Sequence, residues 1–400
     1  MAIITIIGMM AGLFISRSVL SVSMIIFIIN GIFDINIIKK IKAFLNNKIV
    51  IAFALIFLVP FISGLWSSNT PEWWTRTAVK LPFILLPVGF FALNKLPEKH
   101  FINLNRFFIA LMLAGSVWSV IKYWQNTAFY HEQYLRAQVI PTPFDDNHIY
   151  FSFSVVVTIL LLIKLFIADK TKTWRWVYGL TGAWFIVYLH ILSAKTGLLC
   201  LYISLLMLGF YLLKKTKKKK LALITVLLVL CLPFVAYKIS PTFKNRVGYV
   251  LYDYGNYSRG NFIEGLSDGN RYLSLKAGWD IFKIAPVSGI GFGDLWGKVD
   301  EWNRLHRPQI KDYERMLPSS EIFLYICGAG ITGGILLLIA ILIPLFYKPM
   351  QKDITWIGFH VIMIVFLLYE VTLEAQFGVF VYAFFCFWWQ QSNPDKIISL

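Results

Sequence analysis

Residues 148–168 read HIYFSFSVVVTILLLIKLFIA, an apolar run in which Lys164 is the only residue with a formal charge. A run of about 20 apolar residues is long enough to span a bilayer, and it must be helical there because lipid offers backbone groups no hydrogen-bond partner. Eleven further apolar runs lie at 2–16, 18–33, 49–66, 78–93, 107–124, 176–193, 196–213, 221–239, 319–346, 355–371 and 376–389. The sequence therefore predicts an all-α polytopic integral membrane protein with about 12 transmembrane helices.

The composition agrees with this fold class. Apolar residues make up 58% of the chain and charged residues only 15%, whereas soluble domains average roughly 45–50% and about 25%. There is too little polar sequence to coat so many apolar segments, which excludes most soluble and disordered classes. The formal net charge of +17 nevertheless raises the question of a nucleic-acid partner.

The positions of the basic residues answer that question. Twenty of the 38 Lys and Arg residues lie in one alternate set of connections, against six in the short connections of the other set. Because cytoplasmic loops are enriched in Lys and Arg, the first set is predicted to be cytoplasmic, with both termini inside. The excess charge thus specifies topology and indicates membrane lipids, not nucleic acid. The predicted cytoplasmic connections are 34–48, 94–106, 164–175, 214–220, 347–354 and the C-terminal tail.

This pattern divides the chain into three regions. Residues 1–239 form an N-terminal transmembrane bundle of about nine helices, residues 240–318 one large periplasmic loop, and residues 319–400 the C-terminal transmembrane helices. The four cysteines all fall within predicted spans and are expected to be small core residues, without disulfides or a metal site.

The large loop contains one clear helical pattern. Apolar residues recur at helical spacing, which predicts an amphipathic helix lying on the outer leaflet and ended by Pro286. These residues are Tyr272, Leu275, Trp279 and Phe282. Gly289, Gly291 and Gly293 follow and allow close backbone approach; a dinucleotide-binding turn is disfavoured because no strand precedes them and no helix visibly follows.

Polar residues at the predicted outer face are the candidate functional residues, because such positions are costly in a membrane protein. Arg136 lies in the polar segment 125–147, which could also simply turn the chain, and Lys195 lies in the turn SAKTG, where a lysine is often an interfacial anchor. Ser319, Ser320 and Glu321 open a span and are expected to cap its helix.

Two more carboxylates complete this set. Glu370 and Glu374 are expected one helical turn apart at the outer end of a span, where they need cationic partners. We therefore predict one outer-facing cavity in which six side chains converge: Arg136, Lys195, Arg271, Glu321, Glu370 and Glu374.

Several of these residues form a motif. It reads Arg271…Trp279…Pro286-x-x-Gly289-x-Gly291-x-Gly293, then Pro318-x-x-Glu321-x-x-x-Tyr325 and Gly328-x-Gly330-x-x-Gly333. With the architecture, it resembles the O-antigen ligase and O-antigen polymerase family of bacterial membrane proteins. The sequences DDNHIYFS after Arg136 and E-x-x-x-E-x-Q-x-G near the end resemble the Bacteroidetes-type variants.

The resemblance implies a metal-independent, cofactor-free, inverting glycosyltransferase of the C-type membrane class, acting in lipopolysaccharide or surface polysaccharide assembly. Such a protein lies in the bacterial inner membrane with its active site facing the periplasm. It transfers a glycan from undecaprenyl diphosphate to lipid A–core, as a ligase, or to another carrier-linked glycan, as a polymerase. The alternatives are a transporter or flippase for a polysaccharide or lipid-linked substrate, and a catalytically inactive envelope protein.

Expected roles follow from the chemistry of the leaving diphosphate, whose growing negative charge fixed cations stabilise. Arg271 and Arg136 are the expected catalytic, diphosphate-binding residues, with Lys195 as a helper, because the arginine fork binds phosphate oxygens bidentately. The family's Pro-His-Asn-Glu junction here reads Pro318-Ser319-Ser320-Glu321, and its Ser-x-Arg turn reads Ser193-Ala194-Lys195. A base role would pass to Glu321, His148 or His306, or be unnecessary. The expected supporting residues are Ser319, His148, Glu370, Glu374, Gly291 and Gly293.

Overall fold

We describe a computed structural model of the chain, which covers residues 1–33, 42, 44–93, 96–136, 138–144, 147–215, 219–263 and 266–392. Asp145 and Asp146, which belong to the polar segment noted above, lie outside the described residues. The structure is 80% helix, and the described residues contain no strand. The prediction of an all-helical fold is confirmed, and the apolar helices are compatible with a helical membrane protein.

The helices follow one another closely along the chain. They are α1 (Ala2–Ile15), α2 (Arg17–Ile32), α3 (Lys48–Ser63), α4 (Thr70–Ala78), α5 (Pro82–Ala92), α6 (Glu98–Gln125), α7 (Thr127–Leu135), α8 (His148–Ala168), α9 (Lys172–Leu192), α10 (Lys195–Lys215), α11 (Lys219–Ile239), α12 (Pro241–Tyr257), α13 (Ser267–Ile284), α14 (Leu295–His306), α15 (Glu321–Leu342), α16 (Ile354–Tyr369) and α17 (Gln376–Gln390).

Fewer helices than expected have the length and apolar character of a full span. Among the described residues five segments qualify, or six if the pair bent by 97° at residue 240 is one span. The five are Thr70–Ala92, Glu98–Gln125, His148–Ala168, Lys195–Lys214 and Glu321–Phe346. α1, α2, α3 and α16 are apolar but have only 14 to 16 residues, about 21–24 Å at 1.5 Å per residue. The count of 12 spans therefore stays a prediction.

The first of two compact units comprises Met1–Phe101, Ser267–Gln351 and Met363–Leu400. Its α1 and α2 form a hairpin that turns at the extended residue Ser16. An aromatic cluster joins α3, α5 and α17: the Phe53 ring lies 5.0 Å from the rings of Phe83 and Tyr382 and 5.6 Å from that of Phe387. Edge-to-face packing of such rings contributes beyond their buried area, so these separated segments share one core.

The second unit comprises Ile102–Leu266 and Lys352–Ile362. Its α8 is buried along most of its length and packs against α9 and α10. The first helix of the 240–318 region, α12, also belongs here, because Asn245 donates to the His131 carbonyl at 3.0 Å and Thr242 to the Ile191 carbonyl at 2.8 Å. The region is thus not a single loop with one helix: it holds α12, α13, α14 and a short 3-10 turn at Asp312–Glu314.

Helix α13 ends where the sequence predicts, because its last residue is Ile284, just before Pro286. Its apolar stripe faces outward: Tyr272 is 51% exposed, Leu275 37% and Trp279 54%. The opposite face packs against α14 through a small cluster of Leu273, Ala277 and Trp302. The expectation that no helix follows the glycines is wrong, because α14 begins at Leu295.

The expected continuous span 319–346 is interrupted. In α15, Ala329 and Gly330 leave the helical backbone region, which frees peptide groups in the middle of an apolar segment. The 286–293 loop binds them through three backbone hydrogen bonds: Ile290 N to Cys327 O (3.0 Å), Gly291 N to Gly328 O (2.9 Å) and Ile331 N to Pro286 O (2.9 Å). The backbone groups freed by the interruption therefore find hydrogen-bond partners within the protein, as buried backbone groups must.

Two glycines make this contact possible. Gly330 has φ +66°, and a Cβ on it would lie 2.0 Å from the Val287 carbonyl oxygen; Gly289 has φ +70°, and a Cβ there would lie 2.3 Å from the Ala329 nitrogen. Only glycine adopts such φ values without strain and leaves room for a neighbouring backbone. The glycines of the motif thus join the loop to the interrupted span.

Candidate functional site

The candidate site is built around residues 369–375, which comprise the last residue of α16 and the segment that joins it to α17, and which we call the linker. Helix α16 ends at Tyr369 and α17 begins at Gln376, so Glu370 and Glu374 lie outside both helices. The expectation that these two carboxylates are one helical turn apart is therefore wrong. Side chains from three other parts of the first unit bind the linker instead.

Arg271 binds the beginning of the linker. It lies in the first turns of α13, and its Nη2 donates to both carboxylate oxygens of Glu370 at 2.8 Å, while Nη1 donates to the Tyr369 carbonyl at 2.7 Å. The guanidinium also lies 4.8 Å from the centre of the Tyr369 ring. Its side chain remains 19% exposed, so this strongly bound arginine is not sealed from the surface.

Two serines, Ser274 and Ser319, hold the backbone at Arg271. Ser274 Oγ donates to the Arg271 carbonyl at 2.7 Å and accepts from the Ser319 backbone N–H at 3.2 Å. This contact ties α13 to the residues that precede α15. Ser319, predicted as a supporting residue, therefore acts on the backbone next to Arg271.

Glu321 binds the middle of the linker. It is fully buried, and its Oε2 accepts hydrogen bonds from the backbone N–H groups of Thr372 and Leu373, each at 2.9 Å. Its Oε1 is buried and makes no hydrogen bond. The expected helix-capping role is wrong, because no side chain caps the start of α15 and the carboxylate instead holds another segment.

Glu374, at the end of the linker, binds two cations that sequence reasoning did not place in the site. Arg76 Nη1 lies 2.9 Å from Glu374 Oε2, and Lys80 Nζ contacts Glu374 Oε1. Lys80 is fully buried and also donates to the Arg76 carbonyl at 2.9 Å. Arg76 in addition pairs with Glu72 at 2.7 Å.

A sequence signal for these cations exists. Arg76 and Lys80 are four residues apart, a spacing that lines up side chains on one face of a helix, and they stand at the beginning of an apolar segment. The sequence interpretation started that span at residue 78, whereas the structure extends it to Thr70–Ala92 and so includes both.

The 286–293 loop and the adjoining Asp294 contact the residues that precede α4, the helix that carries Arg76. The Asp294 carboxylate accepts from the backbone N–H groups of Ser68 and Asn69 at 2.8 and 3.0 Å. A Cβ on Gly291 would lie 2.4 Å from Ser67 Oγ, and one on Gly293 would lie 2.3 Å from the Asn69 carbonyl oxygen. Gly291 and Gly293 thus act as packing positions beside the site.

The charges of this cluster nearly balance. Three cations, Arg76, Lys80 and Arg271, pair with three carboxylates, Glu72, Glu370 and Glu374, while Glu321 accepts hydrogen bonds from backbone N–H groups. Since unpaired buried charges are very unfavourable, the pairing explains how so many ionisable groups are accommodated beside apolar helices. Among the described residues, no group of three or more His, Cys, Asp or Glu side chains is placed to hold a metal ion.

The structure brings together four of the six residues expected in one cavity: Arg271, Glu321, Glu370 and Glu374. Arg136 and Lys195 belong to the second unit. Arg136 is exposed and pairs with Glu132 at 2.5 Å. Lys195 opens α10, and its Nζ lies 5.7 Å from the centre of the Tyr249 ring.

The second unit also buries charged residues near Lys195. Arg246 of α12 lies 5.1 Å from the same Tyr249 ring, and Asp253 on the next turns is fully buried. Sequence reasoning missed both; their spacing of seven residues places them on one face of α12.

The two histidines considered as bases lie in different units. His148 is the first residue of α8 in the second unit. His306, in the first unit, ends α14, where its ring stacks on Trp302 with centres 4.4 Å apart and its Nδ1 lies 2.9 Å from the Trp302 carbonyl. The Trp302 indole in turn donates to Asp280 at 2.9 Å, so His306 belongs to the α13–α14 packing.

In comparisons with protein-family models and with curated proteins, nothing matched this chain.

Proposed function

We propose that this protein transfers a glycan from an undecaprenyl diphosphate carrier to an acceptor hydroxyl at the periplasmic face of the bacterial inner membrane. The observation that carries the proposal is Arg271, whose guanidinium binds both oxygens of a carboxylate yet stays partly exposed. One guanidinium nitrogen, Nη2, reaches both carboxylate oxygens, and arginine N–H groups bind phosphate oxygens as well as carboxylates. The helical, apolar architecture and the motif that contains Arg271 support the same function.

The reaction follows from the bonds involved. The acceptor oxygen attacks the anomeric carbon, the bond from that carbon to the diphosphate oxygen breaks, and the diphosphate leaves with the electron pair. The hydroxyl proton passes to a base or to the departing phosphate. Because negative charge grows on the diphosphate, a fixed guanidinium stabilises the transition state more than the ground state. Attack from the opposite face inverts the configuration at the anomeric carbon.

The arginine and lysine side chains differ in how well they are placed to bind the donor diphosphate. Arg271 is our first candidate for the diphosphate, since its side chain is 19% exposed, whereas that of Arg76 is 9% exposed and that of Lys80 is fully buried. Arg136 is accessible, because 68% of its side chain is exposed, and Lys195 remains a helper. The proposed topology places both termini in the cytoplasm, with 12 spans and the 240–318 region in the periplasm.

The acceptor defines two forms of the same activity. A ligase transfers the glycan to lipid A–core, and a polymerase transfers it to another carrier-linked unit. Both use the same donor and the same leaving diphosphate, so one candidate site serves either.

A reconstituted assay tests the proposal. Purified protein in vesicles is given an undecaprenyl diphosphate glycan with lipid A–core or with more donor, and conjugate or polymer is detected by gel and mass spectrometry. We expect product from the wild type, and a loss of at least about 100-fold in Arg271→Ala and Arg136→Ala. Arg304→Ala is the matched control, because Arg304 is 72% exposed on α14. Full activity of Arg271→Ala at normal expression contradicts the proposed role of Arg271, and full activity of Arg136→Ala contradicts that of Arg136.

One observation favours a second candidate, a transporter of a lipid-linked or polysaccharide substrate. Transporters use interrupted helices at mid-membrane as binding sites, and α15 is interrupted at Ala329 and Gly330. Here the freed backbone groups are bound by the 286–293 loop, which leaves them unavailable to a substrate. Movement of a labelled lipid-linked glycan across vesicles without any new glycosidic bond would support the transporter, whereas neither product nor movement would indicate an inactive envelope protein.

A further inference from the structure

The environment of Glu321 does not suit a general base. A base must reach the proton that it removes, directly or through one water. Glu321 is fully buried, and its Oε2 is occupied by two backbone N–H groups at 2.9 Å. Its only other oxygen is buried as well.

The same contacts give Glu321 a different task. The linker is bound at three successive points: Arg271 holds Tyr369 and Glu370, Glu321 holds Thr372 and Leu373, and Arg76 with Lys80 holds Glu374. The middle point is the only one of the three made through linker backbone N–H groups. These groups are buried, and without an acceptor each would carry the full penalty of an unpaired buried donor.

We propose that Glu321 is a positioning residue, which fixes the linker so that Glu370 orients the Arg271 guanidinium. Its effect on transfer, which rests on the proposed function, is exerted through Arg271. Glu321 accepts hydrogen bonds and moves no proton in the reaction. The requirement at position 321 is therefore for a side-chain oxygen acceptor of the same length, not for an ionisable group.

Substitution of Glu321 by Gln and by Ala distinguishes a positioning residue from a general base. Glu321→Gln keeps the length and a carbonyl acceptor, so we expect transfer within about 3-fold of wild type and an unchanged pH profile. Glu321→Ala removes the acceptor, and we expect about 10- to 100-fold lower kcat, since small misplacements of catalytic groups have effects of this size. Removal of a true base would lower the rate of both variants by about 100- to 10,000-fold.

Hydrogen exchange of the linker provides a readout that needs no activity. By mass spectrometry of peptides that contain Thr372 and Leu373, we expect exchange in Glu321→Gln to match wild type and exchange in Glu321→Ala to be at least about 10-fold faster. The control is Glu301→Gln on α14, whose carboxylate is 58% exposed and pairs with the exposed Lys298, and which should change neither readout. If Glu321→Ala does not fold, Glu321→Gln alone decides the role.

The outcomes distinguish the two proposals. Loss of transfer in Glu321→Gln with wild-type exchange overturns the positioning role, as does unchanged exchange in a folded Glu321→Ala. If the wild type itself transfers no glycan, the proposed function fails, while the exchange measurements still test whether Glu321 fixes the linker.

Discussion

Arg271 and Glu370 form a forked ion pair in which one guanidinium nitrogen lies 2.8 Å from both carboxylate oxygens, while a second donates to the adjacent Tyr369 carbonyl at 2.7 Å. The two residues are 99 positions apart in the sequence. The contact joins the amphipathic helix α13 to the linker between α16 and α17, and it places the most suitable cation of the first unit at a partly exposed position.

Arg271→Lys should lower glycan transfer by at least about 10-fold, although the charge is kept. Lysine presents a point charge and cannot contact two oxygens and a carbonyl with one planar fork. The measurement is kcat in the reconstituted assay, with expression and melting temperature followed in parallel. Arg304→Lys is the control, because the Arg304 side chain is 72% exposed. Equal rates for wild type and Arg271→Lys would show that the fork geometry is not used.

Gly330→Ala should destabilise the protein by at least about 2 kcal/mol, because it combines an unfavourable positive φ with a Cβ that lies 2.0 Å from the Val287 oxygen. The matched control is Gly248→Ala, since a Cβ there meets nothing within 4 Å and alanine is favoured within a helix such as α12. Thermal unfolding in detergent measures both. A Gly330→Ala variant as stable as Gly248→Ala would mean that the loop and α15 do not meet as described.

Glu374→Gln should destabilise by about 3–5 kcal/mol, because it leaves the fully buried Lys80 ammonium without its carboxylate. Combining it with Lys80→Met should recover part of the loss, since the uncompensated charge is then removed. The control is Glu132→Gln, whose exposed pair with Arg136 should contribute less than about 1 kcal/mol. Additive effects of Glu374→Gln and Lys80→Met in a double-mutant cycle would count against the pairing.

The exposed face of α13 should lie at the membrane interface. Tyr and Trp prefer this depth, and both Tyr272 and Trp279 are about half exposed. Spin labels introduced as Leu275→Cys and Trp279→Cys in a Cys231→Ser background should be more accessible to oxygen than to a polar nickel reagent. Cys231 is replaced because it is the exposed native thiol of the four. Lys298→Cys on α14 should show the opposite preference, and equal accessibility at all three sites excludes membrane contact.

Asp280 should make the packing of α13 on α14 dependent on pH. Hydrogen bonds from Lys283 and Trp302 lower the pKa of the Asp280 carboxyl. Since the folded pKa lies below the ordinary value of 3.8, the stabilisation is fully present above that value and is lost as the pH falls through the folded pKa. Asp280→Asn should therefore be less stable than wild type at neutral pH, by about 1 kcal/mol. The difference in melting temperature should shrink as the pH falls below 3.8 towards the folded pKa, and a difference that does not change with pH would contradict this.

The apolar runs alone determined the class of fold, because a helix is the only open-chain structure that satisfies its backbone in lipid. The periodicity of residues 272–282 likewise determined that α13 is a helix with an apolar stripe. The motif glycines indicated close backbone approach, which follows from the missing side chain. Such features depend on local composition and spacing, so the sequence reveals them directly.

The pairing of charges was decided only by the tertiary structure. Arg76 and Glu374 are 298 residues apart, and no local pattern indicates which cation a distant carboxylate meets. Glu321 has the sequence context of a helix cap, yet its carboxylate binds the linker, because folding brings two buried N–H groups to it. The partners of buried ionisable groups are set by which segments pack together, since each group must be satisfied wherever the fold places it.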